Sequence, residues 1–180
     1  MKKIPKENKE KIMKMIEEAG SEKYETSWNE AGIFSTSKKK SNVKKGKNSR
    51  AKGARFELKV RKDLTEKGRI VDKWGNNIDL DENKIIIAKR KFNPFSKVMT
   101  IGTGFPDFVS IKHVNNELYS VIAVEVKMNG LLSKIEKEKC AWYLKNKIFS
   151  QVWIAKQGEK RGQIEYVDFK EKYGNKYSNI

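Results

Sequence analysis

The sequence predicts an α/β protein, with a central mixed β-sheet flanked by helices and a basic N-terminal extension ahead of it. Two observations carry the fold class. From Arg50 onward the apolar pattern reads helix, several strands, helix, strand, strand, the order of a layered α/β domain. A chain of 180 residues is enough for one domain with a real core and too short for two large ones. A third observation sets the extension apart: between Ser35 and Gly53 stand eight Lys or Arg residues and no Asp or Glu. The expected division is a helical arm over 1–34, a flexible basic linker over 35–49, the α/β domain over 50–169 and a loosely ordered tail over 170–180.

The elements follow in order. Lys6 to Glu18 reads as a short helix with a narrow stripe of Ile12, Met15 and Ile16, closed by Gly20. Tyr24, Trp28 and Phe34 dot a polar stretch, where they either anchor the arm or stack on bases. The basic run after Ser35 has too little apolar surface to offset the entropy of ordering it. Arg50 to Lys67 is helical, with Phe56, Val60 and Leu64 spaced every four residues and Gly68 after the end. Arg69 to Trp74 and Ile85 to Ala88 read as strands. Lys89 to Lys97 reads as a basic loop interleaved with phenylalanines, a composition suited to a nucleic-acid backbone. Phe108 to Ile111 and Leu118 to Met128 are strands. Ser133 caps a helix to about Asn146, with Glu136 as its capping-box partner. Gln151 to Lys156 and Ile164 to Asp168 form a strand pair.

Composition narrows the function. Forty Lys and Arg against 23 Asp and Glu give a formal net charge of +17 and a pI near 9.8. That surplus points to a polyanionic partner, nucleic acid before acidic protein. The single cysteine, Cys140, excludes an internal disulfide and a cysteine zinc site. No apolar run reaches a membrane span and the N-terminus lacks a signal-like apolar core, so a cytoplasmic protein without a membrane partner is expected. His113, the one histidine, is assigned no role.

The chemistry concentrates in Val121-Ile122-Ala123-Val124-Glu125-Val126-Lys127. Residues two apart on a strand share a face, so Glu125 and Lys127 project together while Val124, Val126 and Met128 take the other side. Asp107 stands eighteen positions before Glu125, at the start of the preceding strand. Paired as neighbours, the two strands bring Asp107, Glu125 and Lys127 to one spot. Converging carboxylates repel unless a cation sits between them, and a hard divalent ion takes such oxygen ligands. Lys127 would orient water or offset phosphate charge. Glu57 lies one residue along from the helix ridge of Phe56, Val60 and Leu64, within reach of the core margin; its alternative is a surface pair with Arg61. An isolated E-x-K is also what many solvated strand edges show.

Lys52-Gly53-Ala54-Arg55-Phe56-Glu57, Gly104-Phe105-Pro106-Asp107 and Val124-Glu125-Val126-Lys127 together resemble the PD-(D/E)xK nuclease superfamily, whose restriction-endonuclease-like core is an α/β fold. The helix start is most similar to archaeal Holliday-junction resolvases and to VRR-NUC and phage nucleases. The resemblance spans Arg50 to about Asp168. It implies a metal-dependent endonuclease that hydrolyses DNA, selective for Holliday junctions or other branched structures. Asp107 and Glu125 would be direct Mg²⁺ ligands (Mn²⁺ serving in its place), with the Val126 carbonyl completing the set and Glu57 joining directly or through water. Glu57, Asp107, Glu125 and Lys127 would form the catalytic quartet. VRR-like members carry glutamine in an L-S-x-x-Q pattern where this chain has Glu136. The stretch from Gly75 to Thr103 is longer than in compact junction resolvases. A symmetric junction would call for a homodimer. Lys44, Lys45, Lys47, Arg50, Lys52, Arg55, Lys89, Arg90 and Lys91 are the expected DNA-contacting residues. Two rivals stand beside this reading: a non-catalytic nucleic-acid-binding protein that keeps the nuclease fold, and a small RNA- or ribosome-associated basic protein.

Overall fold

The computed structural model describes residues 6–28, 34–88, 90–93, 98–101, 104–160 and 162–177. Its contacts divide the chain into two units, Met1–Lys52 and Gly53–Ile180.

The first unit contains α1 (Lys6–Gly20), the antiparallel hairpin of β1 (Tyr24–Trp28) and β2 (Phe34–Lys39), and the start of α2 (Lys40–Glu66). Tyr24 Oη donates to Glu18 Oε1 at 3.2 Å and Thr26 Oγ1 to the Ala19 carbonyl at 3.3 Å, which ties the hairpin to the end of α1. Ile12, Met15 and Ile16 are exposed. The side chains of Trp28 and Phe34 lie outside the described residues.

The stretch expected to be a flexible linker, 35–49, is instead β2 and the first turns of α2. Its six lysines are good helix formers, and once a helix is nucleated each further residue adds a bond. The helix extends backward from the strongly periodic Phe56–Leu64 segment through a run that lacks apolar surface of its own.

In the second unit, β3 (Ile70–Lys73), β8 (Phe108–Asn115), β9 (Leu118–Val126), β10 (Gln151–Gln157) and β11 (Ile164–Asp168) form one mixed sheet in the order β11-β10-β9-β8-β3. The β9–β10 pair is parallel and the others antiparallel. The parallel pair is joined through α3 (Lys134–Lys145), as a crossover requires. Phe56, Val60 and Leu64 of α2 pack with Val71, Phe108, Ile122, Val124 and Ala155. Cys140 and Tyr143 of α3 pack with Ala123, Val152, Ile154 and Phe169. Neighbours Ala123 and Val124 thus belong to different clusters, as strand alternation demands. Ser133 and Glu136 form the expected capping box, and Gly68 takes a φ of +73° after α2.

Two further two-stranded pairs, β4 (Asn76–Asp79) with β5 (Lys84–Ile87) and β6 (Arg90–Asn93) with β7 (Val98–Ile101), occupy the long insert. The expected loop at Lys89–Lys97 is therefore partly a strand. Lys89, residues 94–97 and the side chains of Arg90 and Lys91 lie outside the described residues. The expected loose tail is also corrected up to residue 177, while 178–180 lie outside the described residues. Asp168 caps a short helix α4 (Phe169–Tyr173), followed by a 3₁₀ turn over Gly174–Lys176. Phe169 is fully buried, with the rings of Tyr173 and Tyr177 at 5.3 and 5.9 Å. One aromatic anchor outweighs the polar composition around it.

Candidate active site

The β8–β9 register places Phe108 opposite Val124, so Asp107 falls opposite Glu125. The two residues interlock. The Asp107 amide donates to Glu125 Oε2 at 3.1 Å, and the Val126 amide donates to Asp107 Oδ2 at 2.8 Å. Lys127 Nζ lies 3.0 Å from Glu125 Oε1 and 2.6 Å from Glu136 Oε1. Glu136 is held in turn by its capping bond, accepting from the Ser133 amide at 2.7 Å. The start of α3 thus fixes the ammonium that faces the β9 carboxylate. Glu125 and Lys127 share a face as the strand period requires, while Val124 and Val126 pack on the α2 side. Met128 is exposed rather than packed.

The segment that delivers Asp107 is tightly built. The Asp107 carbonyl accepts from the Trp74 amide at 3.3 Å, and the Phe105 amide donates to the Asn76 carbonyl at 2.9 Å. Trp74 Nε1 donates to Tyr143 Oη at 2.9 Å, and that hydroxyl donates to the Phe105 carbonyl at 2.6 Å. A Cβ at Gly104 would stand 2.0 Å from the Trp74 carbonyl oxygen, so backbone approach here admits glycine alone.

Burial dominates the electrostatics. Glu125 is 4% exposed, and this desolvation, reinforced by the charge of Asp107, pushes its carboxyl up to about 8 against the pull of Lys127. Burial also raises Asp107, opposed by the Val126 amide and by Lys127 and Lys73. Glu57 is raised by burial and by Asp107, with Lys73 and Lys127 opposing. Burial works against the charge of Lys127, but its bonds to Glu136 and Glu125 hold its pKa above the usual lysine value. Glu136 is lowered despite burial, chiefly by Lys127.

The structure therefore brings Asp107, Glu125 and Lys127 together, with Glu57 in electrostatic range of Asp107. Glu57 does not pair with Arg61, whose guanidinium instead donates to the Val71 carbonyl at 3.4 Å. Among the described residues, no group of three or more His, Cys, Asp and Glu side chains is placed to hold a metal ion. Lys44, Lys45, Lys47, Arg50 and Lys52 are exposed along the first half of α2, and Arg55 is exposed beyond it. Sequence reasoning missed Lys73, which stands opposite Phe108 in the β3–β8 register and bears on both Asp107 and Glu57. It left the role of Glu136 open, although the capping box already placed that carboxylate at the start of α3.

No protein-family model, no curated protein and no solved structure matches this chain.

Proposed function

We propose that the chain is a divalent-metal-dependent endonuclease of the PD-(D/E)xK type, hydrolysing DNA phosphodiester bonds. The observation that carries this reading is the interlocked pair Asp107–Glu125, with Lys127 on Glu125. Two desolvated carboxylates share one ammonium, which Glu136 also engages. As a purely structural feature that arrangement is costly, since buried carboxylates lacking enough counter-charge shift toward protonation instead of contributing stability. As a cation site it is coherent. The donors of Asp107, Glu125, the Val126 carbonyl and Glu57 are all oxygen, the set a hard ion such as Mg²⁺ or Mn²⁺ accepts. The sheet order, three antiparallel strands followed by a parallel one reached through α3, is consistent with a restriction-endonuclease-like core.

Bound there, the cation would supply Lewis acidity, easing deprotonation of water and offsetting phosphate charge. The chain's own residues set the rest. Glu125 would have to be deprotonated to ligate such a cation. Lys127 stays protonated at neutral pH, so it acts as a fixed donor and charge toward a phosphate rather than as a general base. Glu136 fixes where that donor points. The exposed lysines and arginines of α2 offer contacts to the DNA backbone. Branched DNA, such as a Holliday junction, is the preferred substrate class in this reading, and a symmetric junction would engage two copies of the chain.

The test is cleavage of a four-way junction, a splayed fork, a duplex and a single strand in Mg²⁺ or Mn²⁺. Wild type is expected to cut at least one branched substrate, and Asp107→Asn to bind it without cutting. Binding of the whole panel with no cleavage in either metal would leave a nucleic-acid-binding protein in place of the nuclease.

A further inference from the structure

The first unit holds a cavity of about 580 Å³ between the β1–β2 hairpin and the first turns of α2. Three observations give it a chemistry. Its lining includes Lys38, Lys39 and Arg50 and no acidic residue; Glu25, the register partner of Lys38, is not part of it. The Ser37 hydroxyl in the same lining is buried and has no hydrogen-bond partner among the described residues. Native proteins rarely leave such a group unsatisfied, and water or a ligand usually completes it. Finally, Lys38, Lys39 and Lys40 stand at the N-terminal end of a 27-residue helix whose first turn contains no acid. That helix end carries partial positive charge, so the ammonium groups oppose both the dipole and one another unless an anion sits there.

The remaining lining fits more than a bare anion. Tyr24 is half-buried in the wall, with Lys39 Nζ 5.9 Å from its ring centroid. Gly46 faces open space, because a Cβ built on it meets nothing within 4 Å. The volume falls in the range of small-molecule sites. We propose that this cavity is a nucleotide site separate from the carboxylate cluster, in which Ser37 and Arg50 hold a phosphate and Tyr24 stacks on the base. The nucleotide comes free from solution or as part of a strand. The proposal does not depend on the nuclease reading.

The test uses the full chain in EDTA, so cleavage plays no part. The probe is a 5′-phosphorylated thymidine trinucleotide with a 3′-fluorescein label, followed by anisotropy. Gly46→Leu fills the open space at a helical position that favours leucine over glycine, so the fold is kept while the cavity is blocked. It should weaken binding about tenfold or more, while Lys84→Ala, on the β4–β5 pair, changes it less than twofold. Ser37→Ala should weaken binding by about tenfold, the scale of one hydrogen bond to a charged group. Its melting temperature should hold or rise, because an unsatisfied hydroxyl has been removed. Displacement by thymidine monophosphate assigns a free nucleotide, and displacement by unlabelled trinucleotide alone assigns a strand; both support the site. Equal binding by wild type and Gly46→Leu, or no binding at millimolar protein, overturns it. So does a Ser37→Ala variant that melts lower with binding unchanged. Inorganic phosphate competing as well as thymidine monophosphate overturns the assignment of the base to Tyr24.

Discussion

Replacing Glu125 by glutamine keeps the shape of the side chain and removes its charge. In the folded protein this carboxyl titrates at about 8 rather than at its ordinary 4.5, first because of burial and then because of Asp107. Between those two values the folded state holds a proton that the unfolded chain has released, so stability falls as the pH rises through this window. At about 1.4 kcal/mol per tenfold, the full effect is on the order of 5 kcal/mol. Loss of the Lys127 contact and rearrangement of Asp107 reduce what the substitution recovers, so a relative gain of about 2 kcal/mol is expected. At pH 5, where Glu125 is already protonated, wild type and Glu125→Gln should be close in stability. At pH 9 the variant should be the more stable. Urea unfolding followed by tryptophan fluorescence at both pH values measures the difference. Mg²⁺ should reverse the order at pH 9 by stabilising wild type alone. A gap that stays constant between pH 5 and pH 9, or favours wild type more at pH 9 without metal, would refute the assignment of a desolvated, unrelieved carboxylate.

Other perturbations separate scaffold from site. Gly104→Ala places a methyl group against the backbone carbonyls of Trp74 and Asn76 and should cost about 3 kcal/mol or more while displacing Asp107; urea unfolding and cleavage should fall together. Ser133→Ala breaks the capping box and should cost about 1 kcal/mol in the same unfolding assay. The triple variant Lys44→Ala, Lys45→Ala and Lys47→Ala should flatten the log–log salt dependence of DNA binding by up to about 2.7, as expected from about 0.9 per phosphate contact. Its metal-dependent chemistry on saturating substrate should persist.

How much of this was legible in the sequence follows from the range of each signal. Local and period-two signals carried well: the β8 and β9 strands, the Ser133–Glu136 cap and the shared face of Glu125 and Lys127 all follow from near neighbours. The meeting of Asp107 with Glu125 required one assumption, that consecutive strands pair, and the register bears it out. Composition misled where a long element was continuous. The basic run from Lys40 to Arg50 is helical because it extends a helix whose reason to exist lies at Phe56, Val60 and Leu64. Lys73 was invisible because its nearness to Asp107 depends on β3 adding to the free edge of β8, a pairing across 34 intervening positions that no local pattern encodes. The start of the tail was misjudged because Tyr173 and Tyr177 lie against the buried ring of Phe169, a contact that polar composition does not reveal.

The measurement that bears most directly on the central claim is Mn²⁺ binding, followed by electron paramagnetic resonance and by calorimetry in buffers of different ionisation enthalpy. Carboxylates must be unprotonated to ligate, so binding to a site containing Glu125 should release a proton near pH 7 and tighten as the pH rises toward 8. Wild type should bind Mn²⁺ with that signature, and Asp107→Asn and Glu125→Gln should each lose it. Binding that is indifferent to both substitutions, or no binding at millimolar Mn²⁺ with DNA present, would contradict the account.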